Sequence, residues 1–128
     1  MKMVIWTFFD YVSHVGNNQI DRWYEDLLIQ EQSDFDEFLK TLGKTEKWGN
    51  RDYRPLHCKC IGLGELCFAS CKKQHRVIGQ FGPNHQYTLL IGCTHKQRVY
   101  DPPNAMDTAL VRKKSLENRT GSLAKHDQ

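Results

Sequence analysis

The sequence predicts an α+β domain: an N-terminal strand, two helices, an antiparallel sheet of three to four strands and a C-terminal helix. Three observations carry this. Met3 to Val12 is dense in β-branched and aromatic residues. Apolar residues between Ile20 and Leu42 recur at helical spacing. From Glu65 to Thr94, strand-like runs are separated by short turn segments.

Taken in order, Met3 to Val12 is apolar on both alternating faces, the pattern of a strand buried on both sides. Gly16-Asn17-Asn18 ends it, and Asn17 or Asn18 is suited to cap a helix. Ile20, Trp23, Tyr24, Leu27 and Leu28 form the apolar stripe of that helix, opposite Asp21, Arg22, Glu25 and Asp26. Ser33 with Asp36 reads as a variant capping box opening a second helix, with Phe35, Phe38, Leu39 and Leu42 as its stripe and Gly43 as its stop. Trp48 to Arg54 is polar and turn-rich, and Pro55 bars a helix there. Leu56 to Ile61 reads as a short strand. Glu65 to Cys71 and Gln74 to Phe81 read as a hairpin around Lys72-Lys73; Gly82-Pro83-Asn84 makes the next turn and Gln86 to Thr94 the next strand. Asp101-Pro102-Pro103-Asn104 marks a boundary, with Asn104 as cap of a last helix whose Ala105, Ala109 and Leu116 share a face. One domain is predicted over residues 1–118, followed by a polar, disordered tail over 119–128.

The chain has 128 residues, 39% of them hydrophobic and 26% charged, the make-up of one globular domain. No apolar run approaches the roughly 20 residues a membrane-spanning helix needs. The first residues do not read as a signal peptide, so a cytoplasmic protein with no membrane partner is expected. The net charge of +3 is unevenly spread. Residues 1–50 hold five Lys/Arg against nine Asp/Glu, whereas residues 51–128 hold thirteen against six. A basic C-terminal half favours an anionic partner, and a solvated basic face is the plain alternative.

Five cysteines, an odd number, point to reduced thiols. Cys58-x-Cys60 is tighter than structural zinc sites use, and Cys67 and Cys71 are expected on one strand, pointing the same way. With His57 and His75 as possible further ligands, zinc is the lesser reading. Apolar packing is the preferred one, with no metal and no cofactor.

Across Leu56 to Lys114 an ordered set of motifs accumulates. It comprises Cys58-Lys59-Cys60-Ile61-Gly62-Leu63-Gly64-Glu65-Leu66, His75-Arg76-Val77-Ile78, Phe81-Gly82-Pro83-Asn84, Leu89-Leu90-Ile91-Gly92, Thr94-His95-Lys96, Asp101-Pro102-Pro103 and Arg112-Lys113-Lys114. In that order, and with its strand–helix–helix–sheet–helix layout, the chain resembles the RelE/ParE toxin superfamily, particularly its HigB-like, phage-derived branch. Two positions depart from the pattern. Cys67 stands where the family usually has Arg, and His75 where it often has Tyr. The resemblance implies a RelE-like fold and the toxin of a type II toxin–antitoxin pair. It further implies cleavage of messenger RNA on the ribosome and an antitoxin partner, often a helix-turn-helix protein.

Metal-free RNA cleavage uses the 2′-hydroxyl as nucleophile, a base for its proton, an acid for the leaving oxygen, and cations for the charge growing on the phosphate. His95 and Lys96 are the first candidates for proton transfer and phosphate binding. Arg76 is a matched cation, and Tyr100 a base-stacking or proton-donating group. Lys59, Arg54 and Arg98 are candidate RNA-binding cations, together with Arg112, Lys113 and Lys114. His57 or His75 is a candidate second acid/base. Two other readings stay open: a binding module for RNA or protein without cleavage, and a ParE-like gyrase inhibitor.

Overall fold

A computed structural model describes residues 4–126. Strand β1 (Thr7–Val12) is followed by helices α1 (Gln19–Glu25) and α2 (Ile29–Gly43). Strands β2 (Tyr53–Pro55), β3 (Gly64–Ser70), β4 (Lys73–Gly82), β5 (Gln86–Lys96) and β6 (Val99–Asp101) come next, then helix α3 (Ala105–Glu117) and strand β7 (Ser122–Lys125). The chain is therefore α+β, but its sheet is larger than the three to four strands expected. Seven strands run in the order β2-β3-β4-β5-β1-β7, with β6 also beside β5. The sheet is mixed: β1 lies parallel to β5, and the other pairings are antiparallel.

Helices cover both faces of this sheet. On one, α1 and α2 press Ile20, Phe35, Leu39 and Leu42 against Phe8, Leu66, Phe68, Val77, Tyr87 and Leu89. On the other, Ala105 and Ala109 of α3 sit on Ile78, Leu90, Ile91 and Cys93. Full burial of each large apolar side chain contributes about 1.5–3 kcal/mol. Two glycines are fixed by close approach. A Cβ on Gly79 would stand 2.1 Å from the Thr88 carbonyl oxygen, and one on Gly92 would stand 2.2 Å from the Trp23 ring. The Trp23 contact lets α1 lie directly on β5.

Several expectations change. The first strand begins at Thr7, and Met3 lies outside the described residues. Asn18 caps α1, its side-chain oxygen accepting from the Ile20 and Asp21 amides. α2 starts at Ile29, four residues before Ser33, because Glu31 takes over the capping role and accepts from the Leu28 amide at 2.9 Å. Cys58–Cys60 is one 3-10 turn with Cys60 turned inward, and no strand runs from Leu56 to Ile61. The β3–β4 connection is Cys71-Lys72, both with positive φ (52° and 63°), as a two-residue hairpin turn requires. Cys71 is consequently exposed in the turn while Cys67 is buried on the strand, so they do not share a face. Asn104 makes no side-chain cap to α3.

The largest change is at the C-terminal end. Ser122–Lys125, expected within a disordered tail, pairs antiparallel with β1, and Asp127 and Gln128 lie outside the described residues. What anchors this strand is His126, whose Nδ1 lies 2.7 Å from Oδ1 of the fully buried Asp10; Asn18 donates to the other carboxylate oxygen at 3.0 Å. Four residues, Ser-Leu-Ala-Lys, are too short to carry a periodic signal for such a strand. Removing His126 leaves the buried Asp10 carboxylate without one of its two side-chain partners. His126→Ala is therefore expected to lower unfolding stability by about 3 kcal/mol, read from the urea midpoint at pH 7. An unchanged midpoint would show that β7 adds nothing to the fold.

Candidate nucleic-acid interface

Side chains alternate across a strand, so register decides which residues meet. Cys67 of β3, Arg76 of β4 and Cys93 of β5 lie in one cross-strand row, and His95 of β5 faces Tyr100 of β6. Gln74 and Glu65 occupy the same alternation on β4 and β3. All seven share the α3 face of the sheet, with Cys93 at the boundary of the part that α3 covers. The result is a polar strip at the end of a face that is otherwise apolar.

Glu65 organises it. Its carboxylate accepts from the Tyr100 hydroxyl through Oε2, while Oε1 lies 3.7 Å from Arg76 Nε. Arg76 is 5% exposed and Glu65 7%, so this ion pair operates away from water. Arg76 Nη1 also donates to the His75 carbonyl at 2.9 Å. Burial pushes the Tyr100 phenol well up from its ordinary value, and the hydrogen bond to Glu65 adds to this. Tyr100 is thus held as a protonated donor to Glu65. The His95 ring, half-buried, sits 5.0 Å from the Tyr100 ring. Burial likewise raises the Cys67 and Cys93 thiols, Cys93 to about 12, so both are neutral at pH 7.

Two depressions flank the strip and share Gln74. One, of ≈ 980 Å³, is lined by Lys72, Lys73, Gln74, His95, Lys96, Arg98 and Tyr100, with Asp101 as its acid. The other, of ≈ 460 Å³, lies toward the β3 edge, lined by Arg51, Asp52, Arg54, Cys67, Gln74 and Arg76. Lys72 and Arg98 both sit in two-residue hairpin turns with positive φ (63° and 68°). A left-handed conformation costs a non-glycine residue about 1–2 kcal/mol, and it is here borne by two exposed cations at one rim.

The structure brings together five of the predicted residues: His95, Lys96, Arg98 and Tyr100 around one groove, with Arg76 beside it. His95 and Lys96 are successive strand residues and start toward opposite faces, so they are no side-by-side pair; they share the groove because it wraps the hairpin end. Arg54 lines the second depression and donates Nε to the Asn50 carbonyl at 3.1 Å. The others lie elsewhere. His75 is 1% exposed on the opposite face, with Nε2 2.9 Å from Glu31 Oε2 and its ring stacked on Phe68, so it offers nothing to an RNA. Arg112 is half-buried and donates to the Leu90 carbonyl at 2.7 Å, over the Tyr11 ring; its role is to hold the sheet. Lys59 is paired with Asp107 at 2.7 Å, a hydrogen bond that raises its pKa. Lys113 is paired with Glu117, while Lys114 and His57 are exposed and line neither depression.

The roles of Glu65, Arg51 and Gln74 escaped the sequence reading, and Lys72 and Lys73 read there only as a hairpin turn. The available signal for Glu65 was a carboxylate inside a strand-like run between Leu63 and Leu66. Among the described residues no group of three or more His, Cys, Asp or Glu is disposed to hold a metal, and no helix is long and apolar enough to cross a membrane. Comparison of the chain with protein-family models, with curated proteins and with solved structures finds no match.

Two protonated tyrosines, Tyr100 in the strip and Tyr24 on α1, give the fold a pH signature. The Tyr24 phenol, desolvated and donating to Asp36 at 2.6 Å, is pushed up to about 12 in the folded chain, and Tyr100 shifts in the same direction. The unfolded chain loses these protons near pH 10, before the folded one does, so it binds fewer of them and stability falls as pH rises. Urea midpoints are expected to hold to about pH 10 and drop by pH 12, less steeply in Tyr24→Phe and in Tyr100→Phe. A wild-type midpoint flat over that range would contradict the burial of both phenols.

Proposed function

We propose that the strip and its two depressions bind RNA, and that the chain is a RelE/ParE-like toxin that cleaves messenger RNA on the ribosome. The observation that carries this is the convergence of a half-exposed histidine with Lys72, Lys73, Lys96 and Arg98 around one groove that wraps the hairpin end of the sheet, with Arg76 beside it. What supports the family reading is the order of elements, together with the motif series from Cys58 to Lys114.

In this reading His95 moves the proton, since imidazole is the side chain whose charge changes near neutral pH. The surrounding cations offset charge on the scissile phosphate, and do so more strongly beside a low-dielectric core. Arg76 supplies the positive charge that Cys67 lacks: the two residues face each other across β3 and β4 and line the same depression. Tyr100 orients His95 and offers a ring on which a base can stack. It is no proton donor to the leaving group, because its hydroxyl is committed to Glu65. The acid is then His95 itself, acting after it has taken the proton, or a water. An antitoxin of helix-turn-helix type would silence the protein by covering this face.

A non-cleaving RNA-binding module is the second reading. It is favoured by the engagement of Arg76 and Tyr100 with Glu65, which leaves His95 as the one uncommitted proton carrier of the strip. A ParE-like gyrase inhibitor remains a third.

Induced expression should arrest growth and yield messages cut within reading frames, mapped by primer extension. His95→Ala is expected to lower cleavage by about 10²–10⁴-fold, the usual contribution of a positioned acid/base, with protein level and fold unchanged. Cleavage that persists at the wild-type rate in His95→Ala overturns the mechanism. Arrest with intact messages moves the weight to the binding module, and arrest with DNA breaks to gyrase.

A further inference from the structure

The depression at the β3 edge is separate from the groove around His95, and its own features describe an anion site. Arg76 is the buried element: it lines the depression, and its Nε, 3.7 Å from Glu65, has no hydrogen-bond partner. Arg51 and Arg54 are exposed at the rim, and among the described residues neither has an ion-pair partner. Arg54 is nonetheless held, because donation of Nε to the Asn50 carbonyl leaves the two Nη groups free for a ligand. Asp52 is the sole carboxylate in the lining, and Glu65 behind it answers Arg76, so three guanidinium groups meet two acids and the exposed pair Arg51 and Arg54 carries the excess charge. Planar guanidinium forks suit phosphate oxygens better than any other side chain does.

Gln74 lines both depressions, which makes them successive stations on one path. β3 and β6 stand three strand positions apart, with β4 and β5 between them. At about 4.8 Å per spacing, the path from the β3 edge to His95 and Tyr100 is about 14 Å. That exceeds the reach of one phosphate and suits a short stretch of extended single strand. A His95–Tyr100 ring pair at one end favours an unpaired strand whose bases are free to stack.

We propose that Arg51, Arg54 and Arg76 form a second phosphodiester subsite, so that the protein takes single-stranded RNA laid across the end of the sheet. The phosphate at His95 reacts, and one further along the strand is clamped at the β3 edge. This rests on the RNA-binding reading above, and it adds a site and a minimum length of strand.

The test is fluorescence anisotropy of a labelled, mixed-sequence 12-nucleotide RNA, run as a salt series with the intact chain. Arg51→Gln with Arg54→Gln, both at exposed positions, is expected to weaken binding about tenfold at 0.1 M KCl. It should also reduce the slope of log K against log salt by about 1.4, the loss of two phosphate contacts on a single strand. A duplex of the same sequence should bind more weakly than the single strand. Affinity within twofold of wild type and an unchanged slope overturn the second subsite. If a variant lacking the cations at positions 72, 73, 96 and 98 then loses binding, the RNA-binding reading survives alone. No binding by the wild-type chain removes both. Capture of poly-glutamate but not RNA, dependent on Arg51 and Arg54, reassigns the depression to an acidic peptide and overturns the proposal.

Discussion

Strand β5 is paired over most of its length on one edge and in two separate pieces on the other. β4 runs beside residues 86–94, whereas the opposite edge is shared by β1, parallel over residues 86–89, and β6, antiparallel over 94–96. Between these pieces the pairing with β4 shifts, leaving Leu90 without a partner across from it. A carbonyl freed at such a bulge and buried needs an acceptor's partner, and Arg112 supplies it from α3. Burial lowers the Arg112 pKa, yet the guanidinium stays charged at any physiological pH, so it is a dependable clamp. On the far face Trp23 fills the space over Gly92. The sheet stays in register through this gap, and His95, three residues further on, owes its position to it.

Beyond the gap the two faces of β5 diverge in character. α3 packs Ala105 and Ala109, with Met106, Leu110 and Leu116 partly buried beside them, on only part of this face. The end left open carries Glu65, Arg76, His95 and Tyr100. An isolated charge there would be costly, which is why Glu65 answers both Arg76 and Tyr100. The opposite face handles the same problem twice more, with Glu31 against His75 and Asp10 against His126, on either side of the Phe35–Phe68 contact. Those two pairs are sealed by helices and by β7. Of these three, the Glu65 cluster alone opens onto depressions lined with cations, and that difference separates a structural contact from a candidate site.

The alternation in β3 to β5, the turn signals and the helical stripe of Phe35, Leu39 and Leu42 were legible because local pattern and tertiary burial agree there. β2 and β7 were not, since three or four residues with no apolar period become strands only through long-range pairing. The site was half legible. His95, Tyr100, Arg76 and Arg98 follow from residue type, but His75, read as a second acid/base, and Arg112, read as an RNA cation, are claimed by the interior. Nothing in a sequence says whether a histidine will meet Glu31 or a phosphate. Cys67, the departure from the family pattern, gains a physical counterpart in Arg76 only once the strands are paired.

The central claim is that the open end of the α3 face, and not the helix-covered face, meets RNA. Amide and side-chain NMR shifts of the isotope-labelled chain, followed during titration with a non-cleavable single-stranded RNA, test it most directly. The account predicts perturbations concentrated at Arg51, Arg54, Gln74, Arg76, His95, Lys96, Arg98 and Tyr100. Perturbations centred on α1 and α2, with the His95 imidazole unmoved, would contradict it.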